Sequence, residues 1–465
     1  MKTCRGFDHR VQRLNEKQEA KGDYVLYWMQ QSQRAEDNHA LEYAVLQANR
    51  LKRGVVVVFG LTDSYPEANL RHYVFMLEGL KEAQESCLNR GIQMIVRKGS
   101  PDDVALKFSR DAVLMVCDRG YLKHQKTWRK NVARKAPCPV IQVESDVVVP
   151  VEKVSEKAEY AARTIRPKIH RRLDSYLKKV PMLRVKEKTD HWSNSGLILT
   201  DVRTTARELN IDHSVPPVDH LFRGGTARAK LGLNRFLKKK FKLYDVHRNQ
   251  PQTDEVSYMG MYLHFGQISP LVIAEKIQRT GAGFGQQKAA FIEELIVRRE
   301  LAINFVNYSP SYASYDGVPL WARKTLKDHQ KDKRPYRYSR RKLESAETHD
   351  PYWNAAMQEM VHTGYMHNYM RMYWGKKIIE WSPTPESAFK VALGLNNKYF
   401  IDGRDPNSYT GVAWLFGLHD RPWGERSIFG KVRYMAASGL ERKCDIQGYV
   451  QKVEERIKSA STGHG

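Results

Sequence analysis

Between Tyr24 and about Asp146 the chain alternates short β-branched apolar runs with helical stretches of a dozen residues or so, and this alternation limits the fold more than any other feature. The runs Val25–Met29, Val55–Phe59, Ile92–Val96, Ala112–Cys117 and Val140–Val143 are strand-sized. Between them, the patterns near Ala40–Lys52, Glu67–Asn89, Asp102–Ser109 and Leu122–Lys135 have helical spacing. Parallel strands need a crossover of this length, usually a helix, whereas antiparallel neighbours can be joined by a tight turn. Five strands and four crossovers therefore predict a Rossmann-like parallel sheet.

From Val147 to about Leu221 the sequence turns charged and proline-marked, at Pro150, Pro167, Pro181, Pro216 and Pro217, and its periodicity weakens. This predicts a long connection with short helices that wraps the other parts. From Gly224 onward amphipathic helical patterns dominate. The expected fold class is α/β plus all-α: a five-stranded parallel sheet domain over 1–146, a linker over 147–221 and an all-helical domain over 222–465. A frayed tail is expected from Ser459, and no internal repeat is evident.

At 465 residues the chain can form two or three domains with their own cores, which argues against a small binding module. Lys and Arg number 77 against 52 Asp and Glu, a net charge of +25 that calls for a polyanionic partner. Nucleic acid fits better than membrane, because the basic residues are spread among aromatics and carboxylates and form no basic amphipathic face with an apolar anchor. Five scattered cysteines, Cys4, Cys87, Cys117, Cys138 and Cys444, form no CxxC pair and read as reduced thiols. The longest apolar runs are strand-sized and Met1–Arg10 carries charge, so no signal peptide or transmembrane segment is expected and the protein reads as intracellular.

Familiar catalytic motifs are absent: there is no GxxxxGK loop, no HExxH, no GxSxG and no zinc-spaced Cys/His set, so no metal site is expected. The cluster Gly281-Ala282-Gly283-Phe284-Gly285 has the wrong spacing for a dinucleotide fingerprint and reads as a turn.

Five stretches carry chemical potential. Gly224-Gly225-Thr226 leads a helix toward Tyr244, and a polar loop then precedes Tyr262–Pro270, where a helix start can offer backbone N–H groups to a phosphate. In Phe291–Phe305 the charges Glu293, Glu294, Arg298, Arg299 and Glu300 sit among apolar residues, and inside a protein they must be paired or functional. Glu293 and Arg299 suit an interface ion pair. Trp353, Trp374 and Trp381 fall within 29 positions, with Arg371 three residues before Trp374, so aromatic and cationic groups share neighbouring helix turns. Asn396–Tyr399 leads to the turn Asp402-Gly403-Arg404-Asp405-Pro406, which can clamp a planar ligand or serve as an ordinary loop. Finally, Trp414, Asp420, Arg421, Trp423 and Arg426 interleave aromatics with charge, as a flipped base and a phosphate rim require.

The block Tyr369–Trp381 together with Asp402–Pro406 is nearly the signature of class II cyclobutane pyrimidine dimer (CPD) photolyases, and the chain resembles that family over essentially its whole length, most sharply from Tyr258 to Tyr434. The resemblance implies an all-helical domain that binds FAD, active when reduced, and light-driven repair of UV-damaged, double-stranded DNA by a monomer. By resemblance, Tyr244, Ser257, Tyr258, Met259 and Gly260 hold the FAD phosphates; Arg371 pairs with Asp402 over the ring system, Asn396 faces it, and Arg404 and Asp405 line the cofactor. Glu300 matches the glutamate that hydrogen-bonds the damaged base, while Met372 and Trp414 lie against the dimer. Trp374 and Trp353 match an electron-transfer pair, with Trp381 in the same block; Asp420 and Arg421 enter the hole left by the flipped lesion, with Trp423 and Arg426 at the DNA. A cryptochrome-type photosensor is the alternative use of the same site. A second, antenna chromophore, a deazaflavin or a folate, is expected between the sheet and the helical domain if one is bound.

Overall fold

The computed structural model describes Phe7, residues 9–190 and residues 196–462. Cys4 lies outside the described residues, as do 463–465 of the tail expected to fray.

Strands β1 (Val11–Arg13), β2 (Tyr24–Trp28), β3 (Gly54–Leu61), β4 (Gln93–Lys98), β5 (Ala112–Asp118) and β6 (Val140–Val143) form one sheet in the order β1-β6-β5-β2-β3-β4. β2 through β6 are mutually parallel and coincide with the five expected runs. Every residue of β2, β3 and β5 is buried, which explains why they read as unbroken apolar runs: a strand covered on both faces has no reason to alternate. β1 corrects the prediction of a purely parallel, five-stranded sheet. It pairs antiparallel with β6 at the edge, and with one apolar residue in three it carries no hydrophobic signal.

The central strand β2 has β3 on one side and β5 on the other, so chain order reverses there and a crevice opens beyond the C-terminal ends of the strands. Asp118, the last residue of β5, fixes the floor of that crevice. Its carboxylate accepts the backbone N–H groups of Gln30, Gln31 and Ser32 and the hydroxyl of Tyr27.

Residues 147–221 hold the short helices Val151–Val154 and Val202–Arg207 and one longer helix, Ala162–Tyr176. The segment touches both halves: Thr189 donates to the Gly91 carbonyl beside the sheet, whereas Val148, Val149, Ile165 and Ile169 are buried among helices of the C-terminal half. From Thr226 on, the described residues form helices only. The expected fraying from Ser459 does not occur over the described part of the tail, because a helix runs unbroken from Ile446 to Thr462.

The halves are locked together by buried polar contacts. Arg71 donates to the carbonyls of Tyr399 (2.7 Å), Val361 (2.6 Å) and Pro216 (3.0 Å), and Arg34 pairs with Asp146 while reaching the Gly266 carbonyl. Gly266 has a left-handed φ of 65°, and a Cβ there would meet the Gln31 carbonyl oxygen at 1.9 Å, so only glycine permits this approach of helical domain to sheet.

Candidate active site

The charged stretch expected as one regular helix is a helix with a wide turn. Gly285–Ile292 and Arg299–Tyr308 are α-helical, and Glu293–Arg298 between them is π-helical, a local widening that often accompanies function. Its charges go to different surroundings. Glu293 forms a two-pronged pair with Arg166 (2.8 and 2.9 Å) and bonds Arg298 (3.0 Å). Arg299 donates to the Asp146 carbonyl at 2.7 Å. Glu294 pairs with Arg248 at 2.7 Å and faces open space.

That space is a two-lobed cavity. A lobe of ≈ 500 Å³ is walled by Met372, Trp374, Asn396, Trp414, Arg298 and Arg371, and a lobe of ≈ 340 Å³ by Tyr244, Ser257, Tyr258, Met259, Gly260 and Asp405. Glu294, Tyr365, Asn368, Asp402 and Asn407 line both, so the lobes adjoin. Four separate sequence stretches thus meet at one place. Arg371 reaches Asp402 at 3.1 Å, and its guanidinium lies over the Phe400 ring, 3.8 Å from the centroid. Gly260 packs close here: a Cβ would lie 3.0 Å from Asp402 Oδ2, a tight contact that Asp402 would have to yield to. Asn396 is held by a bond to Asn397, and Arg298 lies over the Trp414 ring.

Two residues that line the cavity each keep a buried polar atom without a partner. Among the described residues, the buried Trp374 Nε1 and His367 Nε2 have no hydrogen-bond partner. His367 caps the helix Asn368–Trp381, its Nδ1 accepting the Tyr369 N–H, so the ring proton must sit on Nε2. Burial, with the nearby Lys452 and Arg371 cations, lowers the imidazole to about 3 and keeps it neutral. His367 lines the smaller lobe as a neutral ring whose Nε2–H is buried without a partner. Asp405 is its acidic counterpart: burial pushes the carboxyl up, but the hydrogen bond and charge of His264, 3.2 Å away, and the Arg299 cation outweigh burial and leave it below its ordinary value.

Two assignments require correction. Glu300 does not line the cavity. It is fully buried against the connecting segment, where its carboxyl accepts the N–H groups of Val148 and Val149; burial raises it to about 8 against those bonds and the Arg299 and Arg10 cations. The residue of this helix that presents a carboxylate to the cavity is Glu294. Arg298, which lines the same lobe, lies four residues on, a spacing that puts both on one helix face, and this signal is present in the sequence. Arg404 also points elsewhere. Its φ of 66° turns the side chain away from Asp402, to donate to the Asn397 carbonyl (2.8 Å) and lie 3.0 Å from His72 Nε2 at the seam with the sheet.

The tryptophans are buried in a row behind the cavity. Trp353 Nε1 donates to the Trp374 carbonyl at 2.9 Å, and the rings of Trp353 and Trp381 are 5.4 Å apart. From Trp381 the aromatic row continues to Tyr338 (5.2 Å) and His349 (5.5 Å), against which half-exposed Tyr336 stacks. Asp420, Arg421, Trp423 and Arg426 stand outside the cavity on a surface loop. Arg421 and the cavity-lining Arg433 both lie over the Trp423 ring, and Arg426 covers Tyr434.

A second, smaller cavity of ≈ 80 Å³ lies in the crevice beyond β2 and β3, lined by Met29, Phe59, Leu61, Tyr65, Trp128 and, from the helical half, Arg404. The side-chain amide of Gln30, also in its wall, is buried with neither its nitrogen nor its oxygen partnered. Among the described residues no cluster of His, Cys, Asp or Glu could hold a metal ion, and no helix is long and apolar enough to cross a membrane.

A model of the DNA photolyase family matches residues 25–185. Over its length the chain is 50% identical to a deoxyribodipyrimidine photo-lyase of Methanothermobacter thermautotrophicus, covering 96% of this chain and 98% of that one, and 39% identical to the protein of the same name from Arabidopsis thaliana, covering 93% and 89%. Among solved structures, a bacterial class III photolyase from Agrobacterium tumefaciens shares the fold with a TM-score of 0.71 at 16% identity, over 93% of this chain and 87% of that one. An archaeal photolyase from Sulfolobus tokodaii, solved with two FAD molecules that imply a novel light-harvesting cofactor, does so with a TM-score of 0.69 at 15% identity, over 92% and 89%.

Proposed function

The chain belongs to the photolyase/cryptochrome family, and from that premise we propose that it is a class II CPD photolyase, which binds FAD in the two-lobed cavity and uses light to split pyrimidine dimers in DNA. The observation that carries the reading is that the two lobes adjoin and share Asp402 and Glu294: one has a polar wall that includes Ser257, Asp405 and Asn407, and the other has Trp374 and Trp414 in its wall.

The residues fit a flavin dinucleotide. Tyr244, Ser257, Tyr258, Met259, Gly260 and Asp405, with the His367 Nε2–H donor, hold its phosphate and ribose end. Arg371, Asp402 and Asn396 hold the ring end. Held there in its reduced form, FAD would supply light-driven, reversible one-electron chemistry toward the dimer, with no net redox change. The protein does the rest. Met372 and Trp414 form apolar walls for an extruded dimer, a lesion already poorly stacked and cheap to flip. Glu294 takes the part that the resemblance gives to Glu300: its carboxylate, held by Arg248, lines the pocket and can accept a pyrimidine N–H, which fixes the base in place. Trp374, Trp353 and Trp381 provide a buried path by which electrons reach the cavity from the surface.

The +25 charge draws the protein to duplex DNA, and Asp420, Arg421, Trp423 and Arg426 form the rim that fills the gap left by the flipped bases. An antenna chromophore, a deazaflavin or a folate, would enter at the seam between sheet and helices, where the ≈ 80 Å³ cavity has to widen to take it. The protein works as a monomer inside the cell. The test is direct: purify the chain, record flavin absorption, and illuminate it with UV-damaged DNA. Loss of dimers in light and none in the dark is expected. Bound flavin without repair would turn the reading to a photosensor, and absence of flavin would overturn it.

A further inference from the structure

We propose that the C-terminal helix Ile446–Thr462 is a latch on the smaller lobe of the cavity, with Arg456 as the pin that ties the lobe's two walls together. The proposal rests on reading that lobe as the dinucleotide end of the flavin site. One wall is the segment 248–258, which has neither helix nor strand and ends at Tyr258 in the left-handed region, φ 58°. A non-glycine residue keeps that conformation only when its surroundings impose it. The other wall is the turn into the helix Asn368–Trp381, where His367 presents its donor.

The latch reaches both. Glu359 is fully buried on the helix Pro351–Thr363, and its carboxylate accepts the His367 backbone N–H (3.3 Å), the Tyr449 hydroxyl (2.7 Å) and Arg456 Nη1 (3.2 Å). The other nitrogen of the same guanidinium, Nη2, donates to Asp254 Oδ1 at 2.8 Å and to the Tyr258 hydroxyl at 3.1 Å. One turn earlier, Lys452 donates to the carbonyls of Pro251 and Thr253. A single planar guanidinium thus joins the two walls, a geometry that a lysine ammonium cannot reproduce. A flavin leaving between segment 248–258 and the opposite wall has to part them, and the latch resists that opening.

The experiment uses the full chain. Flavin release after dilution in the dark is followed by the rise in free-flavin fluorescence, and hydrogen exchange is measured on the amides of 250–258. Arg456→Met should release flavin roughly tenfold faster, the loss of about one charge-assisted hydrogen bond, and raise exchange in that segment. Arg456→Lys should fall between it and the wild type. Because Met leaves Glu359 buried and unpaired, a chain carrying both Glu359→Gln and Arg456→Met, and the single variant Asp254→Asn, provide the same reading if the first fails to fold. Wild-type release and wild-type protection in these variants would overturn the latch. Should the wild type hold no flavin, the flavin reading falls by itself, and the exchange measurement on the flavin-free chain still decides whether Arg456 pins the segment.

Discussion

Two of the cavities of this protein lie on either side of a single turn, and they are built on opposite principles. The seam cavity beyond the sheet is small and lined by Met29, Phe59, Leu61, Tyr65 and Trp128. The larger cavity carries Glu294, Arg298, Arg371, Asp402 and Arg433 in its walls. The turn 402–405 serves both: Asp402 and Asp405 face the larger cavity, while Arg404, flipped by its left-handed backbone, faces the seam. The difference teaches where each can hold charge. Ions in the larger cavity are paired with one another or half-exposed, so they remain available to an anionic ligand. The seam can stabilise a planar, largely neutral one, offering the unpartnered Gln30 amide and a cation already bonded to the Asn397 carbonyl.

The largest expected effect removes the group at the centre of the larger cavity. Asp402→Ala leaves the Arg371 guanidinium with no carboxylate, and flavin content, read by absorbance of the purified protein, should drop on the order of 100-fold in affinity, as for loss of a charge-assisted pair. Arg404→Met should leave flavin content unchanged. Loss of flavin in Arg404→Met would erase the division between the cavities.

Next in size is the contrast between two glutamates six residues apart. Glu294→Gln should lower the yield of dimer repair about tenfold with flavin still bound, as expected for one hydrogen bond or charge at a reacting base. Glu300→Gln should leave the yield as it was. Its effect belongs to stability: the folded state keeps the Glu300 proton up to about pH 8, whereas an unfolded glutamate loses it near its ordinary value. The buried carboxyl therefore suits the fold at low pH and costs increasingly as pH rises toward 8, by about 2–4 kcal/mol at the end of that window. Urea denaturation should show Glu300→Gln gaining on the wild type between pH 5 and pH 8. Equal curves would mean that the two amide donors hold Glu300 charged.

These glutamates also show how far the sequence can be read. The five parallel strands are legible because buried runs of Val, Ile and Leu have few alternatives, and the pairing of Arg371 with Asp402 follows from a resemblance dense in rare residues. What escapes depends on local backbone. A regular helix through 291–305 gives no sign of the π turn that distributes Glu293, Glu294 and Glu300 among three environments. A residue in a loop motif gives no sign of a left-handed φ, so Arg404 reads like its neighbours. β1 escapes because an edge strand needs little apolar surface, and the last turn of the C-terminal helix, from Ser459 to Thr462, escapes because small and polar residues carry no helical pattern.

A smaller effect concerns the proton fixed on His367 Nε2. His367→Phe keeps the bulk and removes the donor, and flavin should bind about threefold to tenfold more weakly, the worth of one neutral hydrogen bond. Acid should act through the same ring. The folded-state value near 3 lies below the ordinary one of a histidine, so the stability tied to the neutral ring is present above pH 6.5 and is lost as pH falls toward 3. The phenylalanine variant should therefore lose less stability between pH 6.5 and pH 4 than the wild type. A parallel loss would place the acid sensitivity on other buried histidines, such as His39 and His72.

The smallest effect tests the surfaces around the two cavities. Arg421 is exposed on the loop beside the larger cavity, and Lys107 is exposed on the helix Pro101–Ser109, whose first residue lines the seam. If only the larger cavity receives DNA, neutralising these two cations must give different results although each removes one positive charge from the same protein. Arg421→Gln should weaken binding to UV-damaged duplex a few-fold at moderate salt and make the dependence of log affinity on log salt shallower by about one, as expected when one fewer phosphate is neutralised. Lys107→Gln should change neither, because net charge alone acts through long-range attraction that salt screens within about 10 Å. Equal slopes in the two variants would mean that the whole basic surface, rather than the rim of one cavity, carries the DNA.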